Sequence, residues 1–257
     1  LTPVRTAAEA RAIQAAGGAP LTVVYRRGGA RHTATLTPTA DESGHYKAGV
    51  WVRDSGAGIG TMSFVDPQRG TFAGLGHSIS DADTGADLTL LSGEIVPVTI
   101  TGCIRGAAGS PGELRGEFAA APAGTVLAND AAGVYGSYTG SCTAPALPVA
   151  NLQEVTPGEA ELWTTVLGTT AQPYTIQVER VTMTGSDPNR NLLIRVTDKR
   201  LLDATGGVVQ GMSGSPIVQN GRLAAVLTHV LVNDPTRGYA IFATTMLEKA
   251  DAVASSK

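Results

Sequence analysis

The sequence is poor in cysteine, in charge and in long apolar runs, and each shortage removes a class of protein. Only Cys103 and Cys142 occur in 257 residues, and their spacing fits neither a zinc site nor a redox motif. The pair leaves two readings open, a disulfide formed in an oxidising compartment or two separate small core residues. Charged residues make up 16% of the chain, with a net charge of -3 and a pI near 5.8. No polycationic surface exists on that count, so nucleic acid is not an expected partner. No apolar stretch reaches the roughly 18 residues of a membrane span, which predicts a soluble chain. Nor does the chain open on methionine. Leu1 leaves room for a signal peptide or anchor upstream, and membrane attachment is expected only through such a segment.

Glycine and proline, by contrast, are plentiful, at 32 and 14 residues, and hydrophobic residues reach 42%. Many turns and many short strands follow from that balance. The first 40 residues read as a separate segment. "TAAEARAIQAAG" has helical composition with a stop at Gly17, and "APLTVVYRRGGARHTATLTP" is two alternating runs about Gly28 and Gly29. Helix, strand, glycine turn and strand is how a PDZ domain ends, so residues 1–40 are similar to the last helix and closing strands of one. The strand edge and carboxylate nest that peptide binding requires are missing. Residues 41–257 read as one all-β domain. "YKAGVWV", "GTFAGLGH", "TIQVERVTM", "NLLIRVTD" and "RLAAVLTHVLV" are short apolar runs broken by Gly, Asn, Asp or Pro, which favours antiparallel barrels over a parallel sheet. Short helices are expected at "DKRLLDAT" and at the C-terminal "MLEKADAVA", the latter with Thr244 and Thr245 as N-caps. Residues 143–160 read as a connector between two β halves.

The chemistry centres on "GMSGSPIVQNGRLAAVLTH", residues 211–229. A serine hydroxyl is a weak nucleophile unless an imidazole takes its proton, and a carboxylate usually fixes that imidazole's tautomer. Four histidines are available. His32 lies in the N-terminal segment, His45 in a glycine-adjacent segment read as exposed, and His229 in an apolar run that reads as a structural site. His77, in "FAGLGHSISD", follows a strand and opens a polar loop, where a base is presented from a rigid scaffold. Ser213 is the candidate nucleophile. The N–H groups of Gly211 and Ser213 are then the expected oxyanion hole, and Asn220-Gly221 closes the hairpin behind them. The orienting carboxylate is open among Asp81, Asp203 and Asp198, the last of which also fits a helix N-cap.

The segments "AGVWVRDSGAGIGTMSF", "GLGHSISD", "SPGELRG", "LLIRVTD" and "GMSGSPIVQNGRLAAVLTHVLVNDPTRGYAIF" resemble, in order, those of the stage IV sporulation protein B serine peptidase family, over residues from about 46 to 250. The resemblance implies a chymotrypsin-like double β-barrel endopeptidase working outside the cytoplasm, in the space between the two membranes around a forespore. Such enzymes cleave the regulator of an intramembrane protease, and themselves. Carried over residue by residue, it implies Ser213 as nucleophile, His77 as base and Asp198 as the acid. No cofactor is implied. Two rival readings stand beside it: a catalytically inactive β-barrel interaction module, and a calcium loop at Asp81, Asp83 and Asp87. The second has its glycine misplaced for an EF-hand and lacks the twelfth-position glutamate, so a solvated turn is the simpler reading.

Overall fold

The computed structural model describes residues 4, 6–14, 17–50, 56–81, 83–185 and 187–255. The chain divides into two compact units, Leu1–Gly58 and Ile59–Lys257. In the first, helix α1 (Ala7–Gln14) is opened by a reciprocal cap in which Thr6 Oγ1 accepts from Glu9 N–H and Glu9 accepts from Thr6 N–H. Strands β1 (Leu21–Arg27) and β2 (Ala30–Leu36) then form a hairpin. Gly28 and Gly29, at φ 57° and 78°, supply the two left-handed residues of a tight turn. A two-residue ribbon, β3 (Thr39–Ala40) with β4 (Tyr46–Lys47), belongs to this unit too.

The second unit holds the β structure expected of a chymotrypsin-like fold, with its first half open. Strands β5 (Met62–Asp66), β6 (Thr71–Gly74) and β7 (Glu94–Ile95) share a five-stranded sheet with β10 (Gly124–Asp130) and β11 (Gly133–Tyr138), ordered β5-β6-β11-β10-β7. Between them, β8 (Val98–Ile104) and β9 (Glu113–Phe118) make a separate antiparallel ribbon. The second half is a closed barrel, β12-β13-β14-β17-β16-β15, built from β12 (Gly158–Thr164), β13 (Gln172–Val181), β14 (Leu192–Val196), β15 (Pro216–Gln219), β16 (Arg222–Leu231) and β17 (Asp234–Phe242). Alternation dictates its core. Residues 174, 176 and 178 of β13 point inward as Tyr, Ile and Val, with polar or exposed neighbours between. Leu162, Ile176, Ile194, Leu201, Ile217 and Leu227 are fully enclosed there, each worth about 1.5–3 kcal/mol of burial.

Helix α2 (Lys199–Thr205) follows β14, and α3 (Ala243–Ser255) closes the chain. The last helix begins directly at the end of β17, so Thr244 and Thr245 sit in its first turn rather than capping it. Met246 and Ala250 of α3 are buried against Ala73, Tyr135, Val226 and Ile241, so the helix is a common wall for both sheets. Asn220 and Gly221, both left-handed at φ 51° and 71°, close the β15–β16 hairpin. Both cysteines are free thiols, so the disulfide alternative is not realised. Cys103, half-buried, has its thiol pKa pushed up by desolvation.

Candidate active site

Ser213 sits on the turn between α2 and β15, and that turn is tied to the first sheet. The Ser213 carbonyl accepts from Thr61 N–H at 2.8 Å, while Thr61 Oγ1 donates to the Gly211 carbonyl at 3.2 Å. Glycine is required on both sides of the Ser213 pair. Gly211 and Gly214 lie at φ 96° and 98°, and a Cβ on Gly214 would stand 1.9 Å from the Thr61 carbonyl oxygen.

The amides of the loop divide into used and unused. Met212 N–H donates to Val209, Gly214 to Leu227 and Ser215 to Met212. Those of Gly211 and Ser213 have no protein acceptor among the described residues. Their directions are set by the opposite ends of the same peptide planes. The Gln210 carbonyl accepts from Leu114 N–H at 2.8 Å and the Met212 carbonyl from Ser215 N–H at 2.9 Å, which turns the following N–H groups the other way. Two unspent donors beside a serine are what a developing oxyanion needs.

His77 leaves the end of β6 through a constrained turn. Leu75, at φ 67°, is the centre of a three-residue turn closed by Gly76 N–H to the Gly74 carbonyl at 2.9 Å, and Gly76 follows at φ 70°. A left-handed leucine is costly, and such turns are rare outside functional segments. Gly76 is glycine for contact as well, because a Cβ there would lie 2.9 Å from Thr228 Cγ2 and 3.1 Å from Ile241 Cγ2. The loop beyond is braced by Asn129, which accepts from Ile79 N–H and donates to the Ile79 and Leu88 carbonyls.

The serine and the histidine converge on one dipeptide of β16. Ser213 Oγ donates to the Thr228 carbonyl at 2.7 Å. The His77 ring lies against the ring of the next residue, His229, with centroids 4.8 Å apart and planes at 33°. Thr228 is the extra residue where the β16–β17 register shifts between Leu227 and His229, and such a bulge re-aims side chains. His77 Nδ1 is 2.7 Å from the Ser78 carbonyl. A carbonyl only accepts, so Nδ1 is the donor in this bond, and in a neutral ring Nε2 is then the basic nitrogen. No hydrogen bond joins Ser213 to His77 among the described residues.

His229, read as a structural site, lies on β16 beside Thr228. It is exposed, and desolvation first, then the charges of His77 and Arg190, lower its pKa against an opposing pull from Asp187.

Asp198 makes no hydrogen bond or ion pair with His77 among the described residues. It is the N-cap of α2, accepting from Arg200 N–H at 2.8 Å, and its other oxygen takes Arg200 Nη2 at 2.7 Å and Thr175 N–H at 3.2 Å. The guanidinium first, then those amides, hold its pKa at about 2. Asp203 pairs with Lys199 at 2.6 Å on the surface of α2. Asp81 caps its own turn by accepting from Thr84 N–H and Oγ1 at 2.9 Å. Asp87 accepts from the Ser78 and Ser80 hydroxyls. Among the described residues, no group of three potential ligands is placed to hold a metal ion.

Sequence reasoning missed the part that the ribbon β8–β9 plays beside the serine loop. Gln210, next to the serine loop, donates to the Gly112 carbonyl and accepts from Leu114 N–H, both at 2.8 Å. The signal was present in "SPGELRG", whose Gly112 has no room for a side chain, with the Ile104 oxygen 2.1 Å from where a Cβ would be.

A glycine-framed serine with two unspent amides, bonded to Thr228 while an imidazole from a neighbouring β-sheet lies against His229, fits a serine peptidase of chymotrypsin-like fold. The chain belongs to the SpoIVB peptidase S55 family, whose profile matches residues 44–247. A comparison with curated proteins returns no match. Three solved structures are distantly similar to it. The Rv3671c protease of M. tuberculosis in its active form is 17% identical, with 80% of this chain and 94% of that one covered and a TM-score of 0.38. The inactive form is 15% identical, covering 56% and 72%, with a TM-score of 0.37. The HtrA-type protease AlgW with decapeptide is 13% identical, covering 72% and 62%, with a TM-score of 0.39.

Proposed function

We propose that this serine peptidase is an endopeptidase of sporulation signalling, acting outside the cytoplasm in the space around the forespore on the exposed part of a membrane-bound regulator, and on itself. Membership of the S55 family carries the reading, and the convergence of Ser213 and His77 on Thr228-His229 supports it. Its partner is then a protein substrate, and any membrane attachment comes through a segment outside this sequence. In the mechanism, Ser213 Oγ turns from the Thr228 carbonyl to His77 Nε2, gives up its proton there and attacks the scissile carbonyl carbon. The Gly211 and Ser213 amides hold the oxyanion. His77 then protonates the departing amine, and water, deprotonated by the same nitrogen, releases the acyl group and restores the serine. The freed Thr228 carbonyl is available to a substrate N–H.

The test is labelling by a fluorophosphonate together with cleavage of an unstructured protein, in the wild type, Ser213→Ala and His77→Ala. Both activities are expected in the wild type, with labelling abolished in Ser213→Ala and slowed by about 10³-fold or more in His77→Ala. A wild type that neither labels nor cleaves refutes the reading.

A further inference from the structure

We infer that His77 is positioned by the ring of His229 and the main-chain carbonyl of Ser78, which together take the place of an orienting carboxylate. The inference rests on His77 acting as the base. Every carboxylate the sequence offered has its acceptors committed elsewhere: Asp198 to Arg200 and Thr175, Asp203 to Lys199, Asp81 to Thr84. The Ser78 carbonyl at 2.7 Å fixes the tautomer, but a bond to the adjacent residue leaves the ring free to swing about it. What limits that swing is the His229 ring, 4.8 Å away and tilted by 33°.

His229 is well placed for this. It pairs with Tyr239 across β16–β17, so its backbone is anchored, and its predecessor Thr228 holds Ser213 Oγ at 2.7 Å. One dipeptide therefore sets base and nucleophile in a common frame. Asn189 steadies it from the side, its carbonyl 2.7 Å from Thr228 Oγ1. The chemistry agrees. When His77 takes the serine proton it becomes a cation, which an uncharged aromatic face stabilises and a second imidazolium would repel. Desolvation first, then the neighbouring His77 and Arg190, lower the pKa of His229 against the pull of Asp187.

The experiment compares His229→Phe with His229→Leu, both in the exposed position that makes unfolding avoidable, against the wild type, with His77→Ala and Ser213→Ala as controls. Phenylalanine keeps a planar face and is expected to hold kcat within about threefold, whereas leucine fills space without one and is expected to lower kcat about 10- to 100-fold with KM little changed. Equal kcat in the two variants, at wild-type level or below it, overturns the inference. If the His77→Ala and Ser213→Ala controls keep their activity, the underlying assignment of base and nucleophile is what has failed.

Discussion

Asp198 separates two accounts of this site by orders of magnitude, and Asp198→Asn is the perturbation that does so. The amide keeps one acceptor oxygen, so the cap on Arg200 N–H survives, asparagine being as good an N-cap as aspartate. What is lost is the oxygen that takes Thr175 N–H and Arg200 Nη2. The Asp198 side chain is 10% exposed, but Arg200 is 66% exposed, so the ion pair contributes about 1 kcal/mol at most. The stranded Thr175 N–H adds about 1–2 kcal/mol. A loss of about 2 kcal/mol follows, equivalent to a fall in Tm of about 4–8 °C for a unit of this size. The carboxylate's lowered pKa agrees in sign. Its stabilisation is complete above the ordinary 3.8 and is lost as pH falls through about 2, so wild type and variant should converge in urea melts toward the acid end of that window. Activity, assayed well below the melting range, should stay within about threefold of wild type, because a true triad aspartate changed to asparagine costs about 10⁴ in kcat with the fold intact. A drop of more than about a hundredfold in a folded Asp198→Asn enzyme would refute the cap assignment.

Other changes test the loop. Gly214→Ala forces a Cβ to 1.9 Å from the Thr61 oxygen at φ 98° and should cost about 3 kcal/mol or more in urea unfolding, or prevent folding altogether. Gly211→Ala meets Leu114 Cβ at the milder 3.1 Å. It should lower stability by about 1–2 kcal/mol but kcat by about 10²-fold, because the oxyanion amide tilts, and single-turnover acylation would show it. Gly112→Ala, whose Cβ would lie 2.5 Å from Gly106 N, should reduce kcat while the closed barrel's near-ultraviolet circular dichroism is retained.

The barrel strands were legible because inward residues such as Ile176, Val178, Ile194 and Val196 repeat at the strand period. The serine loop was legible because its glycines need backbone freedom. The exposure of His229 was not legible, because nothing in a linear pattern reveals the extra residue at Thr228 where the register with β17 shifts. Asp198 shows the converse: the sequence allowed both a cap and a catalytic acid, and only the placement of Arg200 and Thr175 separates them. The ribbon's part escaped because its two hydrogen bonds to Gln210 join residues about a hundred positions apart.

That clasp makes the reacting centre an assembly in which a distant segment has a vote. The peptide plane between Gln210 and Gly211 is fastened by Leu114, and the plane before it by Gly112; rotation of the first reverses the hole from donor to acceptor. A ligand that prised the ribbon from Gln210 would silence the enzyme without touching Ser213 or His77, and the damage would be reversible because neither side chain is altered.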